Sequence, residues 1–401
     1  MTTTPSSSAS PSIPDEAKRR SGDDCRPGSH PHELSASGMQ IARKTAAVVK
    51  GDGYGHGMLR SALALQEAGA RLFFTARLDD AFSLRDHLEP ECVISVLDGA
   101  NSSTMAEAVA SGIVPVINSH EQLSAAVSVA HKTMRPPRVF VHIDTGMNRL
   151  GLAHGRISEI VDLVNLLDIR AYLTHFAAAD DMDIAFCERQ VAALRAAVAK
   201  LPAAPLSIAN SSGIFLDPSF HGDITRPGKS LFGIHPLADG DNPKSEPAIV
   251  LAPVIQVRQL RSGDPVGYSS TWHAPSDRRI AVIAVGYANG YSRIASNHGQ
   301  VAFDGRSAPI VGRVSMDLIA VDITELSETT IAAGSVAEIV GPSISYRQLA
   351  AIMATNEHEA LISLGRSCPR IYLGHKPAPS KVGGAQRYRL IASEFAAPNL
   401  G

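Results

Sequence analysis

The sequence has no excess of charge and no long apolar run. Its 37 lysine and arginine residues nearly balance 39 aspartate and glutamate residues, which leaves a net charge of −2. This balance, without a basic stripe, argues against nucleic acid or a membrane surface as partner. No stretch reaches the apolar length of a membrane span, and no apolar segment typical of a secretory signal opens the chain. We therefore expect a cytoplasmic protein.

Cysteine is scarce as well. The four cysteines lie far apart, at Cys25, Cys92, Cys187 and Cys368. None forms a CxxC pair, and none has a metal-like spacing with histidine. Reduced thiols are the simplest interpretation, and we expect no metal centre.

The length and composition that are present indicate two folded domains. A chain of 401 residues with 44% apolar residues exceeds the usual size of a single core. Residues 1–37 are rich in serine, proline, threonine and aspartate, and we interpret them as a disordered tail. The predicted boundaries then give a first domain over 38–245, a second over 246–376, and a loosely ordered tail over 377–401.

The first domain alternates short apolar runs with amphipathic ones. The strand-like runs cover 46–49, 71–76, 92–97, 113–117, 138–143, 169–174, 206–209 and 223–225. Helical patterns lie between most of them, for example at 58–68, 121–131 and 183–201. Eight such alternations predict an α/β fold of the (β/α)8 TIM-like barrel type. A doubly wound open sheet is the alternative, but it usually has fewer strands, and no GxGxxG follows the first one.

The second domain has a different pattern. Its alternating runs cover 248–260, 279–287, 300–303, 309–314, 318–323 and 336–340, and glycine, proline and aspartate separate them. This pattern predicts a mostly antiparallel β domain, with one helix near 346–354.

A polar residue follows each predicted barrel strand. In chain order these residues are Lys50, Arg77, Asp98, Asn118, Asp144, His175, Asn210 and Arg226. The carboxyl ends of barrel strands meet at one face, and barrel enzymes have their active sites there. The pattern therefore favours an enzyme over a binding or structural module.

Lys50 ends a buried strand and opens a glycine-rich turn. A lysine there is costly to desolvate unless it is paired, neutral or covalently used, although a side chain that only reaches the rim is the alternative. The turns after strands seven and eight, at 210–213 and 226–230, carry glycine and hydroxyl groups that suit a phosphate. A Schiff-base lysine, a phosphate site and a barrel together suggest pyridoxal 5′-phosphate (PLP) as the cofactor.

The motifs at these positions make the sequence similar to the alanine racemases, which are PLP enzymes of the barrel type. In the first domain they are AAVVKGDGYGHG at 46–57, DTGMNRLG at 144–151, THFA at 174–177, ANSS at 209–212 and RPG at 226–228. In the second domain they are VGYSSTW at 266–272, VGYANGY at 285–291, VGRVSMD at 311–317 and PRIY at 369–372. Ordered matches across both domains make the resemblance specific.

The resemblance implies a role for each matched residue. Lys50 would hold PLP covalently and act as one catalytic base, and Tyr268 of a second subunit in a homodimer would act as the other. The other expected cofactor-binding residues are Tyr54, His175, Asn210, Ser211, Arg226, Gly228, Lys229 and Tyr372. The expected substrate-binding residues are Arg149 and Met316, the latter through its backbone N–H. The residues expected along the substrate's access path are Asp180, Tyr287, Arg293 and Arg313.

The chemistry of racemisation explains these residue types. A proton must leave one face of a planar intermediate and another must arrive on the opposite face, so two acid/base groups are needed. Arg226 would face the pyridine nitrogen of PLP, and a guanidinium only donates hydrogen bonds, so that nitrogen would stay unprotonated. The cofactor is then a weaker electron sink, which favours racemisation over side reactions such as transamination.

We therefore expect a racemase that interconverts L- and D-alanine, and thereby supplies D-alanine for cell-wall peptidoglycan or for D-amino-acid metabolism. The alternatives are a racemase for serine or a broader set of amino acids, a decarboxylase or dehydratase, and a PLP-binding homologue with impaired activity. Two departures from the family bear on the choice. His142 stands where the family usually has a lysine, and the chain before residue 46 barely shows the family's opening strand and helix.

Overall fold

The structure is a computed structural model that describes residues 44–237, 240, 245–326 and 330–373. The described residues up to Arg370 belong to one compact unit, and residues 371–373 belong to a second unit. The predicted tails over 1–37 and 377–401 lie outside the described residues.

Eight parallel strands close into a barrel. They are β1 (Lys44–Thr45 and Ala47–Val48), β2 (Leu72–Thr75), β3 (Val93–Val96), β4 (Ile113–Ile117), β5 (Arg138–Asp144), β6 (Asp168–Leu173), β7 (Leu206–Asn210) and β8 (Ile224–Arg226). Strand β1 closes the ring because its first half pairs with β8 and its second half pairs with β2. The remaining neighbours are also parallel. The predicted (β/α)8 barrel is therefore confirmed.

The helices of the barrel follow the predicted amphipathic segments. They are α1 (Met58–Glu67), α2 (Leu78–Arg85), α3 (Met105–Ala110), α4 (His120–Thr133), α5 (Val161–Val164), α6 (Ile184–Val198) and α7 (Ser211–Leu216). Side-chain caps fix where the two longest begin. The Ser119 hydroxyl accepts the N–H of Gln122 at 3.3 Å before α4, and the Asp183 carboxylate accepts the N–H of Phe186 at 2.9 Å before α6.

Alternation along the strands separates two apolar layers. Ala46 and Val48 of β1 belong to a cluster that fills the barrel interior, together with Phe74, Val114, Val116, Phe140, Ala171, Leu173 and Ile224. Ala47 and Val49 belong instead to the larger core between the strands and the helices. Successive side chains of a strand point to opposite faces, so the inward set recurs every second residue.

The antiparallel part of the chain follows the barrel. Its strands are β9 (Val250–Leu260), β10 (Arg278–Ile283), β11 (Gln300–Phe303), β12 (Arg306–Pro309), β13 (Ile319–Asp322) and β14 (Val336–Val340). They form one sheet in the order β12–β11–β14–β9–β10–β13, and every pairing is antiparallel. A separate hairpin pairs Pro265–Val266 with Trp272–His273. The mostly antiparallel β domain is therefore confirmed, while its predicted boundaries stay a prediction.

Two predictions for this part of the chain are wrong. The run 309–314 is not a strand, because the strand ends at Pro309 and Gly312 turns the chain with a φ of +75°. The Gly312 N–H donates to Asn297 Oδ1 at 2.6 Å instead of to a neighbouring strand. Two α-helices, rather than one, lie within the described residues of this region. They are α8 (Tyr346–Ile352) and α9 (Glu357–Gly365).

The described residues also bear on the cysteines and on membrane crossing. Cys92, Cys187 and Cys368 are free thiols, while Cys25 lies outside the described residues. Among the helices in the described ranges, none combines the length and apolarity that crossing a membrane requires.

Candidate active site

A layer of polar side chains lies at the carboxyl end of the barrel. It continues the series in which every second side chain of a strand points into the barrel. Each member lies two residues beyond an apolar inward position, and the five are Lys50, Asn118, His142, His175 and Arg226. Burial lowers the pKa of His175, and the ionisable groups that lower it further are those of Arg226, Lys50, Arg149 and His142. Side chains from five different strands therefore converge on the barrel mouth.

The other predicted strand-end residues do not join this layer. Arg77 and Asp98 are exposed. Asp144 Oδ1 instead accepts the backbone N–H groups of the loop that follows β5, including that of Gly146 at 3.0 Å. Asn210 caps α7 by accepting the N–H of Gly213 at 2.9 Å. Asp144 thus shapes the loop that carries Arg149, and Asn210 caps the helix that begins at Ser211.

Lys50 opens a left-handed turn, residues 50–55, which we call the lysine turn. Gly51, Asp52, Gly53 and Tyr54 have φ values of +64°, +54°, +61° and +52°. Such a conformation costs a residue with a Cβ about 1–2 kcal/mol, and glycine avoids most of this cost. The Asp52 carboxylate holds the turn by accepting the N–H of Met58 at 2.8 Å.

The environment of Lys50 favours its neutral amine. Burial lowers the pKa of Lys50, and the positive charges of Arg149 and Arg226 lower it further, while the Asp98 carboxylate acts in the opposite direction. A neutral amine is the form that attacks a carbonyl and accepts a proton.

Arg226 is buried among neutral oxygens. Its guanidinium donates to Ser207 Oγ at 2.6 Å, to the Thr174 carbonyl and to the Ile208 carbonyl at 3.3 Å. Burial lowers its pKa to about 10, so the group stays charged at neutral pH. These three hydrogen bonds fix the direction of the guanidinium.

His142 and Asn118 form a buried pair next to this charge. Asn118 Nδ2 donates to the Leu97 carbonyl at 2.8 Å, so Asn118 Oδ1 is the atom that faces His142 Nδ1 at 2.8 Å. Because a carbonyl oxygen only accepts, His142 Nδ1 carries the proton and Nε2 keeps a lone pair. Burial and the charge of Arg226 lower the pKa of His142 to about 4, and the ring is neutral at neutral pH.

Four residues form a cluster of donors that we call the anion cradle: Tyr54, Ser211, Gly228 and Ser230. The Ser211 hydroxyl accepts the N–H of Gly228 at 2.9 Å and the N–H of Ser230 at 3.3 Å. A Cβ at position 228 would lie 2.3 Å from the Tyr54 hydroxyl, so only glycine permits this approach. Burial raises the pKa of the Tyr54 phenol, which therefore stays protonated and able to donate.

Lys229 lies beside the cradle with its ammonium turned to an acidic partner. Its Nζ pairs with Asp180 Oδ2 at 2.9 Å, and the Ser212 hydroxyl also donates to the Asp180 carboxylate. The Tyr54 ring stacks on Phe232, with ring centroids 5.1 Å apart. These contacts brace the segment that carries Gly228.

The remaining predicted residues lie on the surface or in the second unit. Tyr268 and Met316 of the antiparallel part are 69% and 55% exposed, and Arg149 is exposed in the loop after β5. Tyr268 is flanked by Gly267 and Ser269, whose φ values are +72° and +59°. Tyr372 belongs to the second unit of the chain, and its predicted role stays a prediction.

Sequence reasoning missed two residues that organise the layer. Ser207 accepts a hydrogen bond from Arg226. The alternation of side chains along β7 could have identified it, because it lies two residues before Ala209 and so on the same face of the strand. Gln190 on α6 donates to the His175 carbonyl at 3.0 Å and accepts the N–H of Ala177 at 3.0 Å. No local pattern marks Gln190, because it lies among the apolar residues of an amphipathic helix.

The fold and the site together define a class of protein: a (β/α)8 enzyme with a buried lysine of lowered pKa, a donor-only arginine and an anion cradle at the barrel mouth. The family model for the alanine racemase N-terminal domain matches residues 34–236, and the model for the C-terminal domain matches residues 249–372. The chain belongs to the alanine racemase family. It is an enzyme of the racemase class, an isomerase.

Individual relatives agree with this assignment. An alanine racemase of Brucella suis is 40% identical over 359 residues, which cover 85% of this chain and 91% of the relative. A catabolic alanine racemase of Agrobacterium fabrum is 38% identical over 350 residues, with 86% and 90% covered. The crystal structure of a Bartonella henselae alanine racemase with covalently bound pyridoxal phosphate has a TM-score of 0.81 and 34% identity, with 85% of this chain and 95% of that chain covered.

Proposed function

We propose that this chain is a PLP-dependent racemase that interconverts L- and D-alanine and works as a homodimer. The position of Lys50 carries the proposal. It is a buried amine with a lowered pKa, it lies in one layer with Arg226, and it shares the lysine turn with Tyr54 of the anion cradle. The covalently bound cofactor of the Bartonella henselae relative supports the same reading.

The described residues fit both polar ends of PLP. A phosphate needs convergent donors, and the cradle offers the hydroxyl groups of Tyr54 and Ser211, together with the N–H groups of Gly228 and Ser230, which in the structure converge on Ser211 Oγ. A pyridine nitrogen would meet Arg226, which donates only, and would therefore stay unprotonated. The proposal also assigns His175, Asn210, Lys229 and Tyr372 to the cofactor, Asn210 through the helix that it caps.

When bound, PLP supplies a carbonyl carbon that condenses with amines and a conjugated ring that acidifies the α-hydrogen. Lys50 would hold the cofactor and, in its neutral form, would move a proton at the α-carbon on one face. Tyr268 of the partner subunit moves a proton on the opposite face. Its exposure in a single chain is consistent with insertion into a second subunit.

The substrate carboxylate would be bound by the backbone N–H of Met316 of the partner subunit. Arg149 would face the phenolic oxygen of the cofactor, which fits a guanidinium whose positive charge already acts on Lys50. The proposal extends to a cytoplasmic supply of D-alanine, for peptidoglycan or for D-amino-acid metabolism. Rescue of a D-alanine auxotroph by the intact gene would test that extension.

The decisive experiment is incubation of the purified holoenzyme with L-alanine, and separately with L-serine, in deuterated water. Chirality and α-deuterium are then measured by chiral chromatography with mass spectrometry. We expect D-alanine that carries deuterium at the α-carbon. Exchange with serine but not with alanine would replace alanine as the substrate, and a complete lack of exchange with both would overturn the proposed racemase function.

A further inference from the structure

Helix α9 of the antiparallel part packs against the lysine turn, and at two glycines the contact is between backbone atoms. A Cβ at Gly55 would lie 2.3 Å from the Leu361 carbonyl oxygen, and a Cβ at Gly365 would lie 2.0 Å from the Gly55 carbonyl oxygen. A Cβ at Gly51 would lie 3.1 Å from Ile362 Cδ1. At Gly55 and Gly365, backbone therefore meets backbone, with no room for a side chain between the two segments.

An ion pair ties the same two segments together. Arg370, which follows α9, donates to the Asp52 carboxylate and also to the Gly365 carbonyl, the latter at 2.6 Å. Asp52 is one of the two residues with a Cβ that hold a left-handed conformation in the turn. Its carboxylate is thus fixed on one side by the Met58 N–H and on the other by Arg370.

The lysine turn needs such outside support. A run of left-handed residues that includes Asp52 and Tyr54 is unfavourable for L-amino acids and persists only where surrounding contacts over-determine it. Lys50 is the first residue of this turn, so the direction of its amine depends on the turn's path. The contacts with α9 and Arg370 supply that support from the antiparallel part of the same chain.

We propose that α9 positions Lys50, with Gly365, Asp52 and Arg370 as positioning residues that hold the lysine turn in its left-handed path. The antiparallel part of each chain then serves its own barrel as well as contributing Tyr268. The importance of this positioning for catalysis rests on the proposed function of Lys50. The positioning itself concerns only the chain's own residues.

The test substitutes Gly365→Ala, which places a methyl group against the Gly55 carbonyl, and Gly155→Ala as the matched control. Neither glycine has a positive φ, and a Cβ at position 155 meets nothing within 4 Å. The full chain without cofactor is labelled with trace acetic anhydride across a pH series, and Lys50 acetylation is measured by peptide mass spectrometry. A displaced turn exposes the amine, so we expect its titration to rise by about one pH unit, which is a nearly tenfold loss of neutral amine at pH values well below the titration midpoint. The control should titrate as the parent does.

A second pair of variants keeps the test decisive if Gly365→Ala does not fold. Arg370→Gln removes the charge that binds Asp52, and Arg370→Lys restores it. We expect Arg370→Gln to shift the Lys50 titration in the same direction and Arg370→Lys to shift it less. An unchanged Lys50 titration in both Gly365→Ala and Arg370→Gln would overturn the positioning role.

Activity gives a separate readout in the holoenzyme. A misplaced Lys50 should slow α-hydrogen exchange of the enantiomer whose proton Lys50 moves by about tenfold more than exchange of the other. Equal slowing of both enantiomers would show a general structural defect and contradict the proposal. Lack of exchange in the parent protein would refute the proposed function, whereas the labelling experiment would still decide the positioning of Lys50.

Discussion

The two proposed catalytic residues lie in opposite environments. Lys50 is enclosed by the barrel mouth, and its pKa is lowered chiefly by burial. Tyr268 is 69% exposed in the single chain and next to a residue with a positive φ. Backbone strain next to a proposed acid/base group fits a side chain that must be held in one direction. The two residues therefore need different experimental tests.

Tyr268→Phe removes the phenol while keeping the ring. We expect racemisation to fall on the order of 10²–10⁴-fold, the usual contribution of one acid/base group. Because each base would serve one face, α-hydrogen exchange should persist with D-alanine and collapse with L-alanine. Exchange in deuterated water measured for each enantiomer separately checks this. Equal losses for both enantiomers would contradict the two-base assignment.

His142 makes stability depend on pH. Its folded-state pKa of about 4 lies below the ordinary value of 6.5, so the unfolded chain binds the extra proton first as pH falls. The stability that depends on a neutral His142 is fully present above pH 6.5 and is lost as the pH falls toward 4. Between pH 7.5 and 5 we expect a loss of about 2 kcal/mol from this residue. Denaturant unfolding of the parent and of His142→Gln at both pH values measures it, and equal pH dependence in the two proteins would rule it out.

Among the elements, the barrel strands were predictable and the contacts between segments were not. Short, continuously apolar runs such as 113–117 reveal buried parallel strands, and the alternation of side chains along a strand places Lys50 and Arg226 inward. The left-handed lysine turn was not predictable, because Asp52 and Tyr54 adopt positive φ along with the glycines. Helix α9 was missed, although Asn356 caps it in the usual way. Gly365 approaches Gly55 although the two residues lie far apart in the sequence, and no local sequence pattern indicates such a contact.

Gly53→Ala tests how tightly the lysine turn is built. Gly53 has a φ of +61°, and a Cβ at this position would lie 3.2 Å from the backbone nitrogen of Met58. Gly112→Ala is the matched control, because its φ is +72° but a Cβ there meets nothing within 4 Å. The control should cost about 1 kcal/mol of unfolding free energy through the left-handed conformation alone, and Gly53→Ala should cost more. Chemical denaturation compares the two, and a smaller loss for Gly53→Ala would show that the turn has room to adjust.

For the whole molecule, the proposed homodimer predicts complementation between inactive chains. Lys50→Ala should abolish racemisation because the covalent hold on the cofactor and one base are both lost. A dimer of one Lys50→Ala chain and one Tyr268→Phe chain would carry both defects in one site and none in the other. Random reassociation of equal amounts should then restore about a quarter of the parental activity per chain. Activity after mixing and refolding measures it, and no recovery in verified mixed dimers would place Tyr268 in its own chain's site.

Helix α9 has a second neighbour besides the lysine turn. A Cβ at Gly290 would lie 2.2 Å from the Ser363 carbonyl oxygen, and the N–H of Ala288, two residues earlier, donates to the Met316 carbonyl at 2.9 Å. If Met316 serves the partner's site, the segment that contains α9, Gly290 and Met316 contributes to both sites of the dimer. A displacement of that segment would misalign Lys50 in one site and the Met316 N–H, which would bind the substrate carboxylate, in the other site. A compensating substitution that restores the geometry of one of these sites would then leave the other site impaired.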